Sequence, residues 1–272
     1  MNTNQLSEAL KFITAKVAKK PKVGLILGSG LGPFADEIEN AQLISTEDIP
    51  HYPVSTVAGH AGKWVFGQIA GKQILALQGR VHSYEGYTLA QVTFPIHLMA
   101  EVGVKTLIIT NAAGGINPNF RPGDLMIITD HINLMLDNPL FGKNDDAKGP
   151  RFPDMSEPYN RDLIQIAEET ALDLKIKTHK GVLCALKGPT YESAAEIRMM
   201  RRFGGDAGTM STVSEVIVAV YRGLKVLGIS CITNLATGMS AEKLSHDEVT
   251  EVADLVKDKF SRLIREIIFR LK

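Results

Sequence analysis

An α/β fold, with a central mixed, partly parallel β-sheet flanked by helices, is what this sequence predicts. Three observations predict it. Short runs rich in valine and isoleucine alternate with longer stretches of helical periodicity, the pattern of strands joined by helices. Hydrophobic residues make up 44% of the 272, enough for a sizeable core. No internal repeat or low-complexity stretch interrupts the alternation, so residues 1–272 are read as a single domain.

In chain order, Val23 to Leu27 reads as a first buried strand. Trp64 to Gly79 reads as two strands joined by a turn near Ala70-Gly71. Gln91 to Glu101 carries a helical pattern, and Thr106 to Thr110 and Leu125 to Thr129 return to strand. Asp162 to Leu174 reads as helix, Gly181 to Leu186 as strand, Ser193 to Arg202 and Thr212 to Arg222 as helices, and Val226 to Ile232 as strand. Ser193-x-x-Glu196, Thr212-x-x-Glu215 and Ser245-x-x-Glu248 match the capping box. The third opens an amphipathic helix, with Val249, Val252, Val256, Phe260, Leu263, Ile267 and Leu271 at helical spacing. Residues 136–160 are rich in turn formers (Asn138-Pro139, Gly142, Gly149-Pro150, Pro153). A connection this long in a compact domain is usually functional or mobile. Strands continue on both sides of it, so it marks no domain boundary.

Composition excludes several function classes. Thirty basic and thirty acidic residues cancel, and no basic tract appears, so no nucleic-acid partner is expected. No apolar stretch reaches the roughly 18 residues of a membrane span, and the first residues, with Asn4, Gln5, Glu8 and several lysines, do not read as a signal peptide. Cys184 and Cys231 sit in apolar runs and read as buried free thiols, which suits a reducing cytoplasm. The seven histidines form no H-E-x-x-H and the two cysteines are 47 residues apart, so no metal site is expected. No G-x-S-x-G nucleophile elbow is present.

The chemistry concentrates at strand ends. Leu27-Gly28-Ser29-Gly30-Leu31-Gly32 follows a strand, and its glycines can aim successive backbone N–H groups at one anion. A dinucleotide fingerprint needs glycine at 33, where Pro33 stands, and no Gly-Lys-Ser/Thr follows for a P-loop. A ligand-free tight turn is the plain alternative. Arg80 and His82, two apart at another strand end, share a face if the chain stays extended. A guanidinium fork with an imidazole suits a tetrahedral oxyanion; the plain alternative is a solvated salt bridge. Thr110-Asn111-Ala112-Ala113-Gly114-Gly115 permits close backbone approach to a ligand, as expected beyond the carboxyl ends of strands in open α/β sheets. Tyr191 could stack on a flat ring, and Glu192 could accept its N–H groups. Ser211, before a helix N-terminus, could hold phosphate. Asn234 can donate and accept at one purine edge. His60, among small residues, has an accessible ring, but a lone histidine is more often a hydrogen-bonding structural residue, and His246, one residue after the cap Ser245, reads equally well as a first-turn surface histidine.

Taken in order, GSGLG at 28–32, GHAGKWVFG at 59–67, QGRVHSYEGY at 78–87, NAAGGIN at 111–117, GPTYES at 188–193, MSTVSEVIVA at 210–219 and ITN at 232–234 resemble the low-molecular-mass, trimeric purine nucleoside phosphorylase family. The resemblance implies a nucleoside phosphorylase-like fold, a homotrimer and phosphorolysis of 6-oxopurine ribonucleosides and deoxyribonucleosides. Inorganic phosphate would be co-substrate, with no cofactor and no metal. It implies that Ser29, His60, Arg80, His82, the Ala112 amide and Ser211 hold phosphate. Tyr84, Met210 and His246 would line the ribose, with His246 near its 5′-hydroxyl. Ala113, Gly114 and Tyr191 would border the base, with Glu192 on its N–H groups and Asn234 at N7 and the 6-oxo group. His60, Glu192, Asn234 and His246 are thereby the catalytic candidates.

The chain departs from the family pattern where Gly208-Thr209 replaces Val-Gly, where Ser214 replaces proline, and where Lys148 replaces an aromatic before Gly149-Pro150-Arg151-Phe152-Pro153. Two other readings compete. A methylthioadenosine phosphorylase would need an acid at Asn234 and an apolar 5′ pocket in place of His246. A catalytically silent purine-binding protein would bind base without consuming phosphate.

Overall fold

Among the described residues, nine strands share one mixed sheet: β1 (Val23–Leu27), β2 (Glu39–Ser45), β3 (Lys63–Ile69), β4 (Lys72–Gln78), β5 (Thr106–Gly115), β6 (Leu125–Asn133), β7 (Thr178–Ala185), β8 (Ala207–Thr209) and β9 (Lys225–Leu235). The computed structural model describes residues 3–17, 19–57, 61–240 and 246–271, the side chains of 3, 246–250, 253 and 254 excepted. The spatial order is β2-β3-β4-β1-β5-β8-β7-β6-β9, and β9 pairs back onto β5. That last pairing closes β5, β8, β7, β6 and β9 into a ring. The strands β4, β1, β5 and β9 are successive parallel neighbours. Antiparallel pairs are β2/β3, β3/β4, β5/β8 and β6/β9.

The central strands are buried on both faces, which explains their near-continuous apolar reading. In β1, Ile26 joins Leu107 and Ile109 of β5 in one core cluster. Its neighbours Leu25 and Leu27 join Ile108 in the other, the period-two alternation of a strand. The first cluster is covered by α1 (Thr3–Lys16), α3 (Phe94–Val102) and α6 (Val213–Tyr221). The second is covered by α4 (Arg161–Asp173) and α7 (His246–Arg270). A third, smaller cluster seats α5 (Ala194–Arg202) through Ile197 and Met200 against Cys184 and Ala236. Both cysteines are free and buried.

Most expected elements stand within a few residues of their predicted bounds, and the differences have physical causes. The helix expected over 91–101 is two, α2 (Leu89–Val92) and α3, separated at Thr93. Pro95 sits in the first turn of α3, where its missing N–H costs nothing and its ring prevents a continuous helix. The strand expected to end at Thr110 runs on to Gly115, and that expected to end at Ile232 runs to Leu235. The element β2 was not expected, because its first five residues are exposed and give no apolar signal. Nor was α1, although Leu6, Ala9 and Ile13 bury one helical face. Ser193 caps α5 in a box with Glu196 as expected. The cap expected at Ser245 lies outside the described residues. Residues 136–160 hold no helix or strand. They are tied to α6 where the Tyr221 hydroxyl donates to the Asp145 carbonyl (2.9 Å). No helix among the described residues is long and apolar enough to cross a membrane.

A β carbon at Gly67 in β3 would overlap Ile38 Cγ2 and stand 2.5 Å from the Glu39 carbonyl oxygen. That oxygen belongs to β2 and cannot retreat without loosening the β2–β3 ladder. Gly67→Ala should therefore cost about 1–3 kcal/mol, lowering the melting temperature by several degrees. A calorimetric melt that matches the parent protein would contradict this account of the sheet edge.

Candidate active site

One cleft of about 800 Å³, counting its open mouth, lies at the carboxyl ends of β1, β4, β5 and β9, with the last residues of β5 and β9 in its wall. This is the end of a parallel sheet where connections diverge and leave room for a ligand, and the volume suits a small molecule. Of the candidates read from sequence, Ser29, Arg80, His82, Tyr84, Ala112, Ala113, Gly114, Tyr191, Glu192, Met210, Ser211 and Asn234 all line it. His60 lies outside the described residues, as does the side chain of His246, the first residue of α7. Asn111, Gly208, Thr209 and Thr233, which stand in the motifs or departures read from sequence but were given no role in the site, help complete the wall.

The turn after β1 is closed by the Leu31 N–H on the Gly28 carbonyl (3.0 Å). Gly30 takes φ +75°, a conformation that favours glycine. Gly28 is needed for a different reason. A β carbon there would stand 2.8 Å from Asn111 Cα and from the Thr110 carbonyl oxygen, so β1 and β5 could not approach. Thr110 ties the two strands together: its hydroxyl donates to the Ile26 carbonyl (2.8 Å) and accepts from the Gly28 N–H (3.2 Å).

Arg80 is not a solvated surface arginine. Its side chain and that of Glu215 are each 3% exposed and form an ion pair at 2.8 Å. The guanidinium also donates to the Thr110 carbonyl and to the Thr212 hydroxyl. Glu215 additionally accepts from the Thr212 N–H (2.8 Å), the return arm of the capping box expected at α6. The Thr212 backbone is unusual, with φ +73° and ψ −57°. A non-glycine residue held there costs about 1–3 kcal/mol.

His82 stacks on Tyr84, with ring centroids 4.7 Å apart and planes inclined by 13°. Glu85 holds both the backbone N–H of His82 (2.7 Å) and its Nδ1 (3.3 Å). It also accepts from the Thr56 N–H and hydroxyl. Burial pushes the Glu85 carboxyl up, yet the hydrogen bonds from His82 and Thr56 outweigh it and bring its pKa down to about 2. Tyr84 is pushed up to about 12, first by burial and then by the Glu85 charge.

At the other side of the cleft, Tyr191 is part-exposed and Glu192 part-buried. Burial raises the Glu192 carboxyl above its usual range; its own backbone N–H opposes this, and Glu196 adds to it. Asn234 owes its place to a β-bulge. Ala113 pairs with Ile232 but Gly114 pairs with Asn234, so Thr233 is an extra residue in β9. A bulge bends a strand and re-aims a side chain; here it lets Thr233 and Asn234 both face the cleft. The Thr233 hydroxyl donates to Asn234 Oδ1 (3.0 Å), and Asn234 Nδ2 donates to the Leu235 carbonyl (3.2 Å).

The departures from the family pattern have structural content. A β carbon at Gly208 would meet nothing closer than Ile116 Cδ1 at 3.8 Å, so glycine here enlarges the cleft. The Thr209 hydroxyl bonds the Ala112 carbonyl (3.3 Å) and the Ser211 hydroxyl (3.3 Å). Lys148 is paired with Asp145 of the same chain (2.8 Å).

Glu215 and Glu85 stand behind the cleft wall, and sequence reasoning gave neither a role in the site. A signal for each existed. Glu215 is the one charged residue in a nine-residue helix that is otherwise apolar apart from Ser214 and the Tyr221 hydroxyl, and a buried acid demands a cation. Glu85 follows His82 by three, the spacing of a turn that brings the two together.

The family model for the phosphorylase superfamily matches residues 22–268. The chain is 54% identical to purine nucleoside phosphorylase 1 of Geobacillus stearothermophilus over 268 residues, 98% of each chain. A crystal structure of Schistosoma mansoni purine nucleoside phosphorylase with adenosine superposes at a TM-score of 0.95 and 36% identity, covering 100% of this chain and 98% of that one. Another, with inosine, gives 0.95 and 35% at the same coverage.

Removing Glu215 would strand the Arg80 charge in a buried site. Glu215→Ala should lower unfolding free energy by about 3–5 kcal/mol, read from urea denaturation followed by circular dichroism. A loss below about 1 kcal/mol would show that Arg80 finds compensation elsewhere.

Proposed function

The chain belongs to the phosphorylase superfamily, and from that premise we propose that it cleaves purine nucleosides with inorganic phosphate, releasing free base and (deoxy)ribose 1-phosphate. One observation carries the reading: a set of groups suited to an oxyanion and a set suited to a purine line the same cleft. Arg80 and Ser211 belong to the first set, Glu192 and Asn234 to the second.

Breaking the bond between C1′ and N9 leaves an oxocarbenium-like sugar and an anionic purine. Phosphate held by Ser29, Arg80, His82, the Ala112 amide and Ser211 would sit below C1′. Its charge offsets the developing cation, and one of its oxygens forms the new bond. Positioning of this kind supplies up to about 7–11 kcal/mol. Asn234 would take the base at N7, where its hydrogen bond strengthens as negative charge grows, so the transition state is bound better than the substrate. His60 and His246 are assigned to the phosphate–ribose and 5′-hydroxyl sides by resemblance. Tyr84, Met210, Tyr191, Ala113 and Gly114 would frame ribose and base. Phosphate is itself the nucleophile, so the proposal invokes no cofactor, no metal and no covalent enzyme intermediate.

Glu192 would set the preference for inosine and guanosine. A 6-oxopurine presents N1–H, and guanine adds an amino group; an ionised carboxylate accepts both. Adenine presents an unprotonated N1, lone pair against lone pair. Because the related Schistosoma mansoni protein has been crystallised with adenosine, the proposed preference is one of rate, not of entry. We extend the proposal to a homotrimer in a reducing cytoplasm. Leu136, Phe141 and Phe152 of the 136–160 segment are each more than 85% exposed, and Phe141 and Phe152 line one surface hollow that another copy would cover.

The direct test is incubation with inosine, with and without phosphate, while hypoxanthine and ribose 1-phosphate are followed. Base release independent of phosphate would end the reading. Glu192→Ala should severely cut turnover of inosine, and near-normal kinetics would contradict its assignment. Asn234→Ala should cost about 10²–10³-fold in kcat; a change confined to KM would mean uniform binding. The raised Glu192 pKa fixes the sign of a pH effect. The ionised form binds the base, so kcat/KM for inosine falls as pH drops through that pKa, and the fall begins at a less acid pH than for an ordinary carboxylate. Glu192→Gln should abolish that limb of the profile; an unchanged limb would assign it to another group.

A further inference from the structure

Thr212 is fully buried between the cleft wall and α6. Its φ of +73° and ψ of −57° are those of a γ-turn, closed by the Val213 N–H on the Ser211 carbonyl (2.8 Å). A β-branched residue resists this region, and glycine would enter it freely. A strained threonine calls for a reason, and its hydroxyl supplies one. Arg80 Nη1 donates to Thr212 Oγ1 at 3.2 Å and Asn111 Nδ2 donates to it at 2.9 Å. Ser211 Oγ lies 3.2 Å away on a third side.

A hydroxyl has one proton and two lone pairs. Guanidinium nitrogen only donates, and with Asn111 turned so that Nδ2 faces Thr212 and its buried Oδ1 has no partner among the described residues, both lone pairs of Thr212 are engaged. Its proton therefore goes to Ser211 Oγ. That leaves Ser211 an acceptor toward Thr212, with its own proton to give. Ser211 lines the cleft. The protein group that can otherwise take this proton is Thr209 Oγ1 at 3.3 Å, whose own proton is directed to the Ala112 carbonyl.

We infer that Thr212 is a positioning residue for the oxyanion half of the cleft: its strained backbone places a hydroxyl that fixes Arg80 and Asn111 and turns Ser211 into a donor toward the bound anion. The inference rests on the phosphorolysis reading, in which that anion is phosphate. Ordered donors save the reorganisation that a freely rotating serine hydroxyl would require on each binding event. Such an effect belongs to phosphate and not to the base, which separates it from a general structural role.

Thr212→Val keeps the shape and the strain but removes the hydroxyl. With the full-length protein and inosine saturating, it should raise the KM for phosphate about 10- to 100-fold. The Kd for hypoxanthine, measured by calorimetry, should stay within about twofold. Thr212→Ser should restore the phosphate KM to within about threefold of the parent. An unchanged phosphate KM in Thr212→Val, or an equal weakening of hypoxanthine, overturns the inference. If the valine variant does not fold, Thr212→Gly accepts the backbone geometry without the hydroxyl. It should show the same selective loss, and a parental phosphate KM there overturns the inference. If neither folds, a phosphate KM raised more than about tenfold in Thr212→Ser overturns it, because the hydroxyl alone is held to suffice. Absence of phosphate dependence in the parent protein would instead sink the phosphorolysis reading itself.

Discussion

The buried ion pair between Arg80 and Glu215 is the constraint around which the cleft is organised. Two charges with side chains 3% exposed are tolerable only if each is fully met. Meeting them recruits the Thr110 carbonyl in the middle of β5, the Thr212 hydroxyl and N–H before α6, and through Thr212 the amide of Asn111. Three elements distant in sequence are thereby held in one register. The same pair offsets the arginine charge, and Glu85 stands similarly behind His82. On the proposed reading, the oxyanion half of the cleft would thus offer directed hydrogen bonds with the arginine charge countered, which suits release of a phosphorylated product.

The base half is built by different means. It relies on backbone geometry: the bulge at Thr233 and the room left at Gly208. Its one carboxylate, Glu192, sits in a part-buried position that burial keeps closer to protonation than an ordinary glutamate. The two halves therefore divide the chemistry. On the proposed reading, one would hold an anion with the arginine charge countered, and the other would place an acceptor toward the protons of a purine.

Much of this was legible in the sequence. The apolar runs of β1, β5, β7 and β9 are strong because parallel strands buried on both faces carry no compensating polar positions. The site motifs stood at strand ends, and every one whose side chains are described came to the same cleft. What stayed hidden depends on partners far away in the chain. β2 has few apolar residues and takes its identity from pairing with β3. Thr93 divides a helix whose apolar period runs through it. Glu215 reads as an N-terminal helix acid, and only the fold reveals that it faces Arg80. The bulge at Thr233 has no local signature, because its cause is the register of β9 against β5.

The ring closed by β5 and β9 also bears on how the chain reaches its working form. These strands are separated by roughly 120 residues, and β8, β7 and β6 must dock between them before the circuit is complete. Contacts this distant exact their loop-closure entropy before they return any stabilisation, so they come late and slowly. The cleft has walls only once that circuit exists. A nascent or half-folded chain accordingly has nowhere to hold a nucleoside, and ligand capture is reserved for molecules that have finished folding.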